Sequence, residues 1–193
     1  MKKLSWGVLA AALLFGEPSG AQVTVAGVKF DEAAEVRGSK LQLNGAGLRT
    51  KLFFKVYSAG LYLPKKAATA EEVLAAGGAK RITLTLLREV ESAEFAEAFA
   101  KGMADNTDPA TYAKLTPAVQ RMNQIFADHK KLSPGDIVAI DWVPGTGTVL
   151  TLKGAQQGEP FKDPAFYDAL LRIWVGAKPA DASLKEALLG KAG

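Results

Sequence analysis

The chain has 193 residues, 48% of them hydrophobic, which is enough for one domain with a full apolar core. Its formal net charge of +4 is small, and its lysines and arginines are scattered, so the concentrated basic face of a nucleic-acid binding protein is absent from the sequence. There is no cysteine, which excludes disulfides, thiolate metal sites and a cysteine nucleophile.

The first 21 residues have the pattern of a secretory signal peptide. Two lysines provide a positive start, an apolar run follows at 6–15, and residues 19–21 are the small residues of a cleavage site. A transmembrane anchor is the alternative, but the run is shorter than the roughly 20 residues that a bilayer requires. We therefore predict export to the periplasm or the medium, no membrane anchor after cleavage, and a mature domain at 22–193.

The first half of this domain is predicted to form antiparallel strands. Residues 23–30 alternate between apolar and polar side chains around an internal turn, and residues 34–43 form a second, broken candidate strand. Asn44-Gly45 is predicted as a tight turn, because both residues tolerate positive φ. This turn leads into a long apolar strand from Leu48 to Leu63, and a further strand is predicted from Lys80 to Leu87.

The second half is predicted to be mostly helical. A short helix is expected at 70–76, and capping residues mark four further helix starts at Ser92, Thr116, Asp163 and Ser183. Two strands at 136–142 and 148–153 are predicted to form a hairpin between these helices. Because alternating βαβ units are missing, the order predicts a single α+β domain, in which an antiparallel sheet carries a layer of helices on one face.

The residues from which metal and catalytic sites are usually built are scarce. His129 is the single histidine, and it stands near the end of a predicted helix, where a cation interacts favourably with the helix dipole. No second histidine or carboxylate lies at metal-ligand spacing from it, and the glycines at 145 and 147 belong to a hairpin turn instead of a phosphate loop. We predict neither a metal nor a cofactor.

The most informative segment is 44–63, which reads NGAGLR and, four residues later, FKVYSAGLYL. This pattern resembles the core signature of the chalcone isomerase-like family, and the strand at 80–87, the helix after Ser92 and the segment from Phe166 onward follow in the expected order. The resemblance implies an open-faced β-sandwich with a ligand cleft between a large antiparallel sheet and a layer of helices. The family contains both plant isomerases and non-catalytic fatty-acid binders.

The resemblance also implies which residues stand at the catalytic positions of the plant isomerases. Arg49 matches the arginine, but Tyr57 replaces a threonine, Phe95 a tyrosine, Gly102 an asparagine and Ile173 a hydroxyl residue. The last three side chains cannot supply the hydrogen bonds that organise water and substrate. Efficient cyclisation of a chalcone is therefore not expected.

The fatty-acid-binding branch fits the sequence better. Its members hold a carboxylate with an arginine and a tyrosine at the positions that are Arg49 and Tyr57 here. Apolar side chains of two helices would line the rest of the cleft, namely Phe95, Phe99, Met103, Ile173 and Trp174. On a straight strand the arginine and the tyrosine would stand about 26 Å apart, at roughly 3.3 Å per residue, so joint contact with one head group requires a bend.

These observations predict a non-catalytic binder of a hydrophobic, anionic small molecule such as a fatty acid, with no nucleic-acid partner. One alternative is an isomerase of the chalcone isomerase type, an intramolecular lyase that acts on an enone with Tyr57 as the proton donor. Another is a structural or partner-binding envelope protein with a filled core. A pocket large enough for a chain-like ligand separates the first two from the third.

Overall fold

The computed structural model describes residues 22–191, so the predicted signal peptide and its cleavage site lie outside the described residues. The strands of this part of the chain are β1 (Gln22–Val25), β2 (Val28–Asp31), β3 (Ala33–Val36), β4 (Ser39–Lys51), β5 (Phe54–Leu63), β6 (Lys80–Leu86), β7 (Val90–Glu91), β8 (Lys131–Leu132), β9 (Ile137–Val143), β10 (Gly147–Leu152) and β11 (Ala155–Gln156). The helices are α1 (Ala70–Ala75), α2 (Ser92–Asn106), α3 (Pro109–Ala127), α4 (Pro164–Val175) and α5 (Ala182–Leu188). Within 22–191, no helix is both long enough and apolar enough to cross a membrane.

A seven-stranded antiparallel sheet organises the molecule, in the order β11-β10-β9-β6-β5-β4-β3. The helices pack on one face of this sheet and enclose the main apolar core, to which Leu61, Ile82 and Trp174 belong. The β1–β2 hairpin covers part of the other face, where Phe30 and Tyr62 belong to a second, smaller apolar cluster. The predicted α+β class, with a layer of helices on one face of an antiparallel sheet, is confirmed.

Strand β5 shows how alternation divides the two faces. Tyr57 and Leu61 point into the main core under the helices, while the intervening Ser58 donates a hydrogen bond from its hydroxyl to the carbonyl oxygen of Val25, 2.9 Å away in β1. Gly60 also faces the β1–β2 hairpin, and a Cβ there would lie 2.6 Å from the ring of Phe30. The sequence SAGLYL therefore fits a strand that is buried on both sides.

The predicted strand from Leu48 to Leu63 is wrong, because the chain reverses within it. Strand β4 ends at Lys51, Leu52 and Phe53 form a turn, and β5 begins at Phe54. Leu52 adopts a φ of +55°, in the left-handed region that leucine rarely occupies. The sequence lacks the glycine, asparagine or aspartate that usually marks such a turn, and this is why the pattern predicts one strand instead of two.

The tight turn predicted at Asn44-Gly45 is also wrong. Both residues lie inside β4, at a bulge where the pairing with β5 shifts between Leu43 and Gly45. The Asn44 side chain is buried and donates hydrogen bonds to the carbonyl oxygens of Ala67 and Leu188. Its role is thus to tie distant segments together, a tertiary role that a local turn pattern cannot reveal.

Helix starts were predicted with mixed success. Asp163 caps α4 as predicted, and its side chain accepts a hydrogen bond from the Ala165 amide at 2.9 Å. Helix α3, however, begins at Pro109 instead of Thr116, because Asp108 caps it by accepting from the Thr111 amide.

Helix α2 begins at Ser92 with Glu91 at the N-cap, so Ser92 is the first helical residue and not the cap. Helix α5 begins at Ala182 and is capped by Asp181 instead of Ser183, because the Asp181 carboxylate accepts from the Leu184 amide at 3.1 Å. In both helices the true cap stands one or two residues before the predicted one, which is the usual scale of error at a helix boundary.

Candidate functional site

The β4–β5 hairpin places Arg49 and Tyr57 directly opposite each other as antiparallel partners. Opposed residues point to the same face of a sheet, with Cβ atoms about 4.5–5.5 Å apart. The turn at Leu52 and Phe53 therefore supplies the bend that joint contact with one head group requires. The structure brings together two side chains that a straight strand would keep apart.

The phenol of Tyr57 is buried, with 5% of the residue exposed, and its oxygen accepts a hydrogen bond from Trp174 Nε1 at 2.9 Å. Burial raises the pKa of Tyr57 to about 12, while the Trp174 hydrogen bond and the Arg49 charge act in the opposite direction. The hydroxyl therefore keeps its proton at neutral pH. Among the hydrogen bonds of residues 22–191 this proton has no acceptor, so Tyr57 can donate it to an anion.

Arg49 is half-buried at the edge of the core, with 24% of its side chain exposed. Its Nη1 donates to the carbonyl oxygen of Thr50 at 3.1 Å and lies 3.8 Å from a carboxylate oxygen of Asp181. This second distance is too long for a hydrogen bond. Since a guanidinium has five N–H donors, Arg49 retains donors for a further anion.

Asp181 is the site residue that the sequence reasoning missed. Its carboxylate caps α5 through the Leu184 amide, accepts a hydrogen bond from the Thr50 amide at 3.1 Å, and faces Arg49. An acidic residue just before a short helix was a usable signal for the cap. Its contact with β4 joins positions more than a hundred residues apart, and no local pattern predicts that.

The five apolar residues that were predicted to line a cleft lie in the main core, between the sheet and the helices. The ring of Phe95 lies 4.6 Å from that of Phe99 and 6.3 Å from that of Tyr57, while Trp174 meets Phe99 edge-on at 5.3 Å. The remaining two, Met103 and Ile173, are buried in the same core cluster. We call the four aromatic residues Tyr57, Phe95, Phe99 and Trp174 the aromatic cluster.

The aromatic cluster is packed as core, and none of its four residues is more than 5% exposed. Phe95 is among the residues that line a surface depression of about 450 Å³, together with Lys51 and Arg88. A second depression of about 580 Å³ includes Thr50 and Asp181, beside Arg49. Entry of a ligand tail among the aromatic residues would therefore require side chains to move.

Within residues 22–191, no group of three or more histidine, cysteine or acidic side chains is arranged to hold a metal ion.

The candidate site offers one cation, Arg49, and one neutral hydroxyl, that of Tyr57, in apolar surroundings. Such a set can bind and orient an anionic head group, since pockets for amphiphiles combine apolar walls with a few placed polar groups.

Comparisons with known proteins agree with this architecture. A family profile described as chalcone isomerase-like matches residues 22–190. Among solved structures, the crystal structure of a fatty-acid binding protein from Arabidopsis thaliana matches with a TM-score of 0.68 and 19% sequence identity, covering 88% of this chain and 96% of that chain. A search of curated proteins found no significant match. The structural likeness establishes the shared fold, and the profile match over nearly all of the described residues shows that the chain belongs to the chalcone isomerase-like family.

Proposed function

We propose that the protein is a non-catalytic, periplasmic binder of a hydrophobic small molecule with an anionic head group, such as a fatty acid. The observation that carries this proposal is the pairing of Arg49 with Tyr57 at the edge of the aromatic cluster. Arg49 offers a permanent cation, and Tyr57 offers a proton that lacks an acceptor within 22–191. A carboxylate can accept from both, and such charge-assisted hydrogen bonds are among the stronger ones in proteins.

Two further observations support the ligand class and the location. The protein from Arabidopsis thaliana that shares this fold is a fatty-acid binding protein. The N-terminal sequence has the pattern of a secretory signal, which supports export.

A ligand tail would enter past Phe95, where the aromatic cluster meets the depression lined by Lys51 and Arg88. Met103 is the most adaptable side chain of the predicted lining, because methionine is unbranched and fills irregular space. Rotation of Phe95 and repacking of Met103 would open a path from the surface towards Tyr57.

A structural or partner-binding protein of the envelope is the second candidate. The close packing of the aromatic cluster favours it, since Trp174 has no solvent exposure and Phe99 only 3%. In that case Arg49 would serve mainly to hold α5 through Asp181, and no small molecule would bind.

Replacing Arg49 with alanine is expected to weaken fatty-acid binding by about tenfold to a hundredfold, because hydrogen bonds to a charged group contribute roughly 1.5–3 kcal/mol. Native mass spectrometry measures the fraction of protein that carries a bound fatty acid, in protein purified from the periplasm with and without added palmitate. Arg172→Ala is the matched control, since it removes a half-buried arginine that lines a separate depression with Asn106 and Asp168. Equal binding by wild type and Arg49→Ala would contradict the head-group assignment. A wild-type protein that never takes up palmitate would favour the partner-binding candidate.

Replacing Tyr57 with phenylalanine is expected to weaken palmitate binding several-fold, since one neutral donor is lost and the arginine remains. The same variant tests the isomerase alternative when wild type and variant are assayed with chalcones and simpler enones. We expect no turnover from either protein. Turnover by the wild type that disappears in Tyr57→Phe would overturn the non-catalytic assignment.

A further inference from the structure

The tip of the β4–β5 hairpin exposes three consecutive large apolar side chains. Leu52 is 82% exposed, Phe53 95% and Phe54 58%. Single exposed apolar residues are ordinary on protein surfaces, but a contiguous group of three at a projecting turn is a feature of interaction sites.

The turn is built from residues that turn chemistry disfavours. Leu52 adopts a φ of +55°, a conformation that glycine adopts without steric penalty and that asparagine tolerates. Backbone outliers cluster at functional sites, so an observed one supports a hypothesis of function. Here the leucine and the phenylalanine that follows it are the two most exposed large apolar residues of the region 22–191.

Basic side chains surround the apolar tip. Lys51 and Lys55 flank it in the sequence, and the two strands pair Lys51 with Phe54. Arg88 follows the end of β6 by two residues, and its guanidinium lies 5.0 Å from the centre of the Phe54 ring. An apolar tip ringed by cations complements the boundary of an anionic bilayer, where acyl chains lie beneath phosphate groups. A second copy of the same tip would be repelled by its like charges.

Acidic groups near the tip limit the electrostatic part of this attraction. Glu89, Glu91 and Glu94 share the depression beside Lys51 and Arg88, and Glu89 is paired with Lys131 Nζ at 2.7 Å. The attraction to anionic lipid is therefore moderate, and burial of the apolar side chains is needed in addition.

We propose that the hairpin tip, residues 51–55 together with Arg88, docks on the surface of an anionic phospholipid bilayer. Docking would bring the depression above Phe95 close to the lipid. The proposal rests on the exposed tip alone and does not require that the protein bind a fatty acid.

Co-sedimentation with vesicles tests the proposal, using the mature protein of residues 22–193. We expect binding to vesicles of equal parts phosphatidylcholine and phosphatidylglycerol, much weaker binding to phosphatidylcholine alone, and release as the salt concentration rises. The double variant Leu52→Ser/Phe53→Ser is expected to bind the anionic vesicles at least about tenfold more weakly. Val23→Ser, which removes an exposed apolar side chain from β1, is the control and should bind like the wild type.

The double variant should keep its fold, because both side chains are exposed, and circular dichroism checks this. The proposal is overturned if the folded wild type ignores anionic vesicles, or if the double variant binds them as well as the wild type does. If the wild type does not bind vesicles, sedimentation velocity shows whether the tip instead joins two copies of the chain, which would also overturn the proposal.

Discussion

Replacing Trp174 with alanine is expected to lower the free energy of unfolding by about 3–5 kcal/mol, the usual range for removing a large buried aromatic residue. Trp174 has no solvent exposure, contacts Phe99 edge-on at 5.3 Å and donates its indole N–H to Tyr57. The substitution leaves a cavity between the sheet and α4 and removes one hydrogen bond of the site. Urea denaturation followed by far-ultraviolet circular dichroism measures the change without relying on tryptophan fluorescence.

A double-mutant cycle separates packing from hydrogen bonding at this position. Trp174→Phe keeps an aromatic ring and loses the donor, whereas Tyr57→Phe removes the acceptor and leaves the buried indole N–H without a partner. We expect Tyr57→Phe to cost about 1–3 kcal/mol, and the two changes together to cost less than their sum. A loss below about 1 kcal/mol for Trp174→Ala would mean that the core is loosely packed, and would favour an open cleft over the filled core described above.

Elements with an uninterrupted local pattern could be predicted from the sequence. The strand predicted from Lys80 to Leu87 is confirmed as β6, in which Ile82, Leu84 and Leu86 alternate with polar residues and are all buried. Helix α4 begins after its predicted cap, Asp163, and ends at Val175, just before Gly176. Here local preference and tertiary structure agree, so period and capping signals were sufficient.

Elements set by tertiary contacts could not be predicted. The reversal at Leu52 uses a residue with no turn preference, and it is held by the long β4–β5 pairing instead of by local chemistry. Asn44 looked like a turn residue, yet its side chain amide bonds to Ala67 and Leu188, the second of them at the far end of the chain. In both places, contacts between segments that are separated in the sequence outweigh the local conformational preference of the residue.

In the candidate site, too, some features could be predicted from the sequence, and others depend on tertiary contacts. Its residues Arg49 and Tyr57 could be named from the resemblance, but their opposition across a hairpin depended on the unpredicted turn. The bond between Trp174 and Tyr57 and the contact between Asp181 and Arg49 join segments that are remote in sequence. Their function as ligand-binding residues stays a prediction, and the palmitate experiments address it.

Replacing Gly45 with alanine is expected to destabilise the protein by about 3 kcal/mol or more, because the new methyl group would collide with backbone atoms of α5. A Cβ at this position would overlap the carbonyl oxygen of Ala187 and lie 2.8 Å from that of Leu188. Backbone atoms cannot rotate away, so α5 must shift, and overpacking of this kind typically costs about 1–3 kcal/mol by itself. The shift also breaks the buried hydrogen bond from Asn44 to Leu188, which adds the cost of an unsatisfied carbonyl group.

The consequences of Gly45→Ala should be largest in α5 and should extend to the site. Detachment of α5 would expose Leu184 and Leu188 and move Asp181 away from Arg49. Amide hydrogen exchange of residues 182–188 should therefore accelerate, in addition to the loss of stability measured with urea. Gly77→Ala is the matched control, because that glycine faces open space, and it should change stability by less than about 1 kcal/mol. The prediction is contradicted if the two variants are equally stable to urea and the amide hydrogens of α5 exchange equally slowly in both. In that case α5 would not pack closely against β4, and Asp181 would not be held against Arg49.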